Sequence, residues 1–233
     1  MDQASRARLF VPNSLTAANI VVGFMAMLAA ADDRYELAVY LMLLAILLDM
    51  FDGRIARRLK ATSKFGQEMD SFGDSLSFCA APALLVHRTV LRHLEGVGVV
   101  VSVLFLLAGV FRLARFNLTS DVHGKARRTT GLPTPVGASY LMVLVLMRDR
   151  ISPSVAAIVV LAMALLMISR ISLPEMRGKS VVTYALLVGV LNYFAVILWP
   201  NWFTIGWWNL WNVVILLVAK GEDRRLEEAE SST

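Results

Sequence analysis

The sequence reads as an all-α, polytopic bundle of transmembrane helices, and three observations say so. Of its 233 residues, 57% are hydrophobic and 18% charged, with a mean hydropathy of +0.63. A soluble domain is about half apolar and about a quarter charged. The excess is gathered in blocks of about 17–25 residues, the length of helix that crosses a bilayer core. Lys and Arg crowd alternate connections, as they do where a chain crosses a membrane repeatedly.

Taken in order, residues 3–12 predict a short amphipathic helix at the membrane surface, with Leu9, Phe10 and Val11 dipping in. Arg6 and Arg8 precede an apolar stretch too long for a secretory signal, and no small-residue cleavage site follows before Asp32, so this end is expected to be retained. Eight spans are expected near 14–31, 35–56, 68–87, 96–114, 133–147, 152–169, 181–199 and 204–219. The break at Asp149–Pro153 separates the fifth from the sixth; without a crossing there the count falls by two. Trp199, Trp202, Trp207, Trp208 and Trp211 flank the last hairpin as interfacial anchors. The chain thus divides into a surface segment (1–13), a membrane domain (14–219) and a charged tail (220–233) expected to fray.

Orientation follows from the cations. With both termini in the cytoplasm, the inner segments hold Arg6 and Arg8; Arg54 to Lys64; Arg112 to Arg128; Arg170 to Lys179; and Lys220 onward. Only Arg34, Arg88, Arg92, Arg148 and Arg150 fall outside. The net charge of +5 is what this asymmetry produces, and no nucleic acid partner is expected. The lone Cys79 has no intrachain disulfide partner, and His87, His93 and His123 lack metal-ligand spacing.

Four aspartates interrupt this apolar chain: Asp49, Asp52, Asp70 and Asp74, in the arrangement D-x2-D-G-x2-A-R-x8-G-x3-D-x3-D. A charged side chain within a span costs roughly 2.5–3.5 kcal/mol, so four represent a penalty on the order of 10 kcal/mol unless neutralised. Spacings of three and four place each pair on one helix face, and the polar turn between them lets the pairs converge near the cytoplasmic ends of neighbouring spans. Gly53, Ala56, Gly66 and Gly73 allow close approach of a helix or ligand. Four readings are open on the residues alone: a solvated rim, ion pairs with Arg54, Arg57 or Arg58, the ion site of a cation-coupled transporter, and a divalent-metal site. A transporter predicts acids near the midplane and inverted repeats; no inverted repeat is visible, and these acids border a basic turn. Carboxylates suit Mg2+, Mn2+ or Ca2+, paired metals clamp a phosphoryl group, and Arg57 has the planar fork that holds phosphate.

Asp49, Asp52, Gly53, Ala56, Arg57, Gly66, Asp70 and Asp74 resemble, without departure, the signature of the CDP-alcohol phosphatidyltransferase family. The block Val11–Phe24 resembles the family's first span, and Thr62–Phe78, Arg112–Asn117 and Gly131–Ala138 are similar to its phosphatidylserine synthase branch, so the resemblance covers roughly residues 10–140. Cys79 stands where that branch has glycine. The resemblance implies a six-helix catalytic core with extra helices, and transfer of the phosphatidyl group from CDP-diacylglycerol to L-serine, with release of CMP. It implies two divalent cations, Mg2+ or Mn2+ with Ca2+ as another occupant: Asp49, Asp52 and Asp70 would hold one, and Asp49, Asp70 and Asp74 the second. Asp74 would also be the general base. Asn13, Thr16, Gly53, Arg57, Ser63 and Gly66 would bind CDP-diacylglycerol, and Arg112, Arg115, Asn117 and Thr134 the acceptor. A homodimer in the cell membrane, with its active site facing the cytoplasm, completes the expectation. The alternatives are a sister transferase acting on glycerol 3-phosphate or inositol phosphate, or one using an archaeal ether-lipid donor.

Overall fold

The computed structural model describes residues 3–59, 63–120, 130–171 and 180–231, with the side chains of 3–9, 57, 119–120, 180–187, 216 and 219–231 excepted. Among these residues the chain is helical and contains no strand. In order it forms α1 (Gln3–Ala31), α2 (Tyr35–Arg58), α3 (Lys64–Asp74), a π-helical turn (Ser75–Ala80), α4 (Ala81–Thr89), a 3-10 turn (Leu91–Leu94) and α5 (Glu95–Ser120). Then come α6 (Thr134–Leu146), α7 (Pro153–Ile168), α8 (Ser180–Leu198) and α9 (Trp202–Ser231). Each expected span coincides with a helix, the third being α3, the π-turn and α4 in unbroken succession. Two stretches, Phe10–Ala31 and Leu91–Leu118, are long and apolar enough to cross a membrane; Thr134–Leu146, Pro153–Ile168 and Val188–Leu198 are shorter apolar helices.

Two features differ from the sequence reading. The surface segment is the opening of α1 itself, which runs through Pro12 without a break. The tail is not frayed: α9 continues to Ser231, because Glu, Arg, Leu and Ala there favour helix and opposite charges recur three and four apart. Lys60, Thr62, His123, Lys125, Arg127, Arg128, Arg177 and Lys179 lie outside the described residues.

The chain divides into two compact units, residues 1–115 with 133–168, and residues 116–132 with 169–233. In the first, α1 packs along α2 and also meets α3, the π-turn and α4, while α6 packs on α4. Helix α6 buries residues on every side, from Thr134 and Gly137 through Leu141, Met142, Val143, Leu144 and Val145, as a helix apolar all round must. Outward faces carry exposed apolar side chains, among them Val21, Phe24 and Leu28 on α1 and Val100, Leu104 and Phe111 on α5, surfaces suited to hydrocarbon rather than water. In the second unit, α8 and α9 form a hairpin: the Tyr193 and Trp208 rings stand 5.3 Å apart and Trp207 Nε1 donates to Asn192 Oδ1 at 3.2 Å.

The end of the first unit formed by the α1–α2 and α6–α7 turns is closed by the cations expected outside. Arg88 donates to Asp33 Oδ1 at 2.8 Å and to the Ala31 carbonyl at 2.9 Å, and Arg148 donates to Glu36 Oε1 at 2.7 Å. Asp33 turns the chain at φ 59°, a left-handed conformation that aspartate tolerates. The Tyr35 hydroxyl and the Arg88 guanidinium beside it hold its carboxyl below the usual 3.8.

A carboxyl held low contributes stability above its ordinary value and loses that contribution as pH falls through the lowered one. Asp33→Asn is therefore expected to lose less melting temperature than the native protein on acidification from about pH 6 to about pH 3, read in detergent. Within α5, a Cβ on Gly98 would stand 2.0 Å from the Leu91 carbonyl oxygen, whereas one on Gly96 meets nothing within 4 Å. Gly98→Ala should cost about 1–3 kcal/mol or more, and Gly96→Ala should be neutral or stabilising by up to about 1 kcal/mol, both read by thermal denaturation.

Candidate active site

On α2, Asp49, Asp52 and Gly53 share a face by spacings of three and four. On α3, Asp70 and Asp74 do the same, and Asp74 is the last α-helical residue before the π-turn. The turn has a local cause. Pro82 sits in the first turn of α4 and has no N–H to offer the Phe78 carbonyl, and the Ala81 N–H reaches back to the Leu76 carbonyl, five residues away. Such turns are frequent at functional sites.

The two helices bring Asp49, Asp70 and Asp74 together, with one carboxylate oxygen from each within 4.8 Å of the others. Like charges this close oppose one another by roughly 3–4 kcal/mol per pair at an effective dielectric of about 20. Asp74 Oδ1 is buried without a hydrogen-bond partner. Three converging carboxylates and an orphaned buried oxygen fit a hard divalent cation, which takes oxygen ligands and supplies the missing charge. Asp52 stands just off this trio; it is 4% exposed, and the Thr16 hydroxyl on α1 donates to its Oδ2 at 3.1 Å.

Helix α1 lines the other side. Gly66 and Gly73 are seven apart on α3 and face it. A Cβ on Gly66 would stand 3.1 Å from Asn13 Oδ1 and 3.2 Å from Ser63 Oγ, and one on Gly73 3.5 Å from Asn19 Nδ2. Asn13, Ser63 and Gly66 thus lie together, and Thr16, one turn along α1 from Asn13, reaches Asp52. Ser63 also has a local task, since its hydroxyl caps α3 by accepting from Gly66 N at 3.0 Å. The backbone of Arg57 continues α2 one turn past Gly53; its side chain is outside the described set.

The four acceptor residues separate. Arg112 on α5 is buried, feels the charge of Asp74, and has an Nε without a hydrogen-bond partner. Thr134 is fully buried at the start of α6 with an unpartnered hydroxyl, near Gly109 one turn before Arg112. Arg115 instead donates to the Ile168 and Met167 carbonyls at 3.0 and 3.3 Å, capping the end of α7. Asn117 belongs to the second unit. Cys79 packs against Gly109, whose added Cβ would stand 2.4 Å from its Sγ.

Two groups escape the sequence reading. Asn19 is fully buried, and its Oδ1 accepts from the Ser77 hydroxyl at 2.9 Å; the signal is the repeat Asn13, Thr16, Asn19 at every third position of an apolar helix. The other is an apolar groove of about 600 Å³ on the side of α3 turned from the aspartates. It is lined by Ile20, Phe65, Glu68, Met69, Phe72, Ser75, Leu76, Ala80, Leu106 and Val110, and Phe65 and Phe72 are 68% and 74% exposed.

Residues 9–169 match the CDP-alcohol phosphatidyltransferase family. The chain is 37% identical over 142 residues to the CDP-diacylglycerol–serine O-phosphatidyltransferase of Helicobacter pylori (strain ATCC 700392 / 26695), covering 60% of this chain and 58% of that protein. It is 30% identical over 168 residues to the enzyme of the same name from Bacillus subtilis (strain 168), covering 72% and 92%. It is 33% identical over 184 residues to the archaetidylserine synthase of Methanothermobacter thermautotrophicus, covering 78% and 77%.

Added Mn2+ or Mg2+ should raise the melting temperature of the purified protein, by the equivalent of about 2.7 kcal/mol at a hundredfold excess over Kd. Asp49→Asn and Asp70→Asn should abolish that shift, and chelation should reverse it in the native protein.

Proposed function

The chain belongs to the CDP-alcohol phosphatidyltransferase family, and from that premise we propose that it transfers the phosphatidyl group of CDP-diacylglycerol to L-serine, giving phosphatidylserine and CMP. The observation that carries this reading is the convergence of Asp49, Asp70 and Asp74 in a chain whose relatives bear serine-transferase names.

Asp49, Asp52, Asp70 and Asp74 would hold the divalent cations, which would offset the charge of the carboxylates and supply Lewis-acid polarisation of the donor's diphosphate. Asn13, Thr16, Gly53, Arg57, Ser63 and Gly66 hold the nucleotide: Gly66 lets α3 approach Asn13 closely, and Arg57 supplies charge on the exit turn of α2. The apolar groove along α3 receives hydrocarbon of the donor; its volume falls in the range of ligand sites. Asp74 removes the proton of the serine hydroxyl, the serine oxygen bonds to the β-phosphorus, and the bond from that phosphorus to the bridging oxygen breaks as CMP leaves. A hydroxyl is a weak nucleophile at neutral pH, so a base in place at Asp74 is what this step needs. Arg112 and Thr134 grip the acceptor, the arginine through the serine carboxylate; both carry buried atoms without partners. Arg115 and Asn117 are the further candidates for contacts to the acceptor.

The eight helical segments are read as spans with both termini in the cytoplasm and the aspartates near that face of the cell membrane. The distribution of Lys and Arg supports this, as do the Asp33 and Glu36 ion pairs closing the opposite end. The active form is read as a homodimer. The likeness to an archaetidylserine synthase favours one second reading, an ether-linked donor with the same acceptor.

Purified protein in mixed micelles should release CMP from CDP-diacylglycerol only when L-serine and Mn2+ or Mg2+ are present. Asp74→Asn should lower kcat by about 10²–10⁴-fold. Turnover with glycerol 3-phosphate or inositol phosphate exceeding that with serine would refute the acceptor, and full activity after chelation would refute the mechanism. An ether-lipid donor compared with the diacyl one decides the second reading.

A further inference from the structure

The acid-bearing segments are not braced only by each other. Along one face of α1, Asn13 lies against Gly66, Thr16 donates to Asp52, Asn19 accepts from Ser77, and Gly23 leaves the space that Ser77 fills. A Cβ at position 23 would stand 2.1 Å from Ser77 Oγ. Ser77 lies in the π-turn directly after Asp74. A turn closed over five residues holds one residue more than an α-turn, so the helix before it is rotated relative to the helix after it. Something has to fix that rotation, and the side-chain hydrogen bonds that the turn's described residues send to α1 all run from the Ser77 hydroxyl to Asn19, to its Oδ1 at 2.9 Å and to its backbone carbonyl at 3.3 Å. Both residues are fully buried, where an unmade hydrogen bond is expensive.

We propose that Asn19 and Ser77 are a positioning pair that sets the rotational register of Asp74, so that α1 gauges both acid-bearing helices, α2 through Thr16 and the π-turn through Asn19. Neither residue touches substrate in this scheme. The inference takes from the proposed function only that the aspartates bind a divalent cation, not which acceptor is used. Second-layer partners of metal ligands, when removed, typically cost 10–100-fold in metal affinity or activity.

The test is Mn2+ binding to purified protein without any lipid or acceptor, read from the electron paramagnetic resonance signal of free Mn2+ and referred to folded protein. Ser77→Ala and Asn19→Ala should each weaken Mn2+ binding about tenfold or more, and the double variant should be no worse than the weaker-binding single one. Gly23→Ala removes no polar atom and displaces the Ser77 hydroxyl by contact alone; it should reproduce the loss and provides an independent route where an alanine variant fails to fold. In the transferase assay the same variants should lower kcat while KM for serine stays within about twofold of the native value. Native Mn2+ affinity in Gly23→Ala and Ser77→Ala, with only melting temperature reduced, would overturn the proposal. So would losses that multiply in the double variant, or a native protein that binds no Mn2+. Failure of the serine reaction alone, with the Mn2+ effects present, would refute the assigned acceptor and leave the positioning pair standing.

Discussion

Three carboxylates whose oxygens converge within 4.8 Å push one another apart, and the helices that carry them have to be held against that push by something other than the acids. Helix α1 answers this need. It packs along α2 and against α3 and the π-turn at once, using small residues for close approach and hydroxyl and amide groups for attachment. The helix is apolar enough to cross a bilayer, yet the face it turns inward is studded with Asn13, Thr16 and Asn19. In hydrocarbon a backbone or side-chain polar group finds no water to fall back on, so each such residue on α1 has a partner on the helix it faces or waits for one from outside the chain.

The opposite end of the first unit handles charge by a different rule. There Asp33 and Glu36 each meet an arginine at 2.8 and 2.7 Å with solvent nearby. Exposed pairs of this kind contribute little individually, and they leave no net charge in need of a visitor. At the aspartate end, Asp49, Asp70 and Asp74 converge on one another, and the charge of Arg112 on α5 bears on Asp74. One end pairs its acids with arginines and the other gathers acids against one another, and gathered carboxylates are what make a surface receptive to cations.

Hydropathy suffices to locate the helices because each apolar block is long and polar residues interrupt the blocks, so that Asp32–Arg34 and Asp149–Pro153 read as breaks from composition alone. The convergence of the aspartates is readable too, since spacings of three and four on successive antiparallel helices leave few other arrangements. The π-turn is harder: it follows from one missing N–H at Pro82, and an α-helix that merely kinks there is a close competitor. Arg115 and Arg112 look equivalent in sequence, three apart on one helix, and only tertiary placement sends the first to the carbonyls of α7 and the second toward Asp74. Asn19 is visible as a third polar residue at regular spacing, but asparagine within a span serves equally well as plain helix-to-helix glue, and its partner Ser77 is not identifiable until the turn is drawn. The helical continuation of α9 is masked by its charge, which resembles a solvated tail although the same residues favour helix.

The groove beside α3 is lined by Phe65 and Phe72 on that helix and by Leu106 and Val110 on α5. A lipid held there arrives by diffusion within the plane of the membrane, whereas a small polar acceptor arrives from the water. The two reactants are then counted in different units, one as a fraction of the surrounding lipid and the other as a molarity. Diluting the bilayer with inert lipid would slow such a catalyst even at a fixed bulk amount of donor, and the composition of the membrane, rather than of the solution, would set how fast it runs.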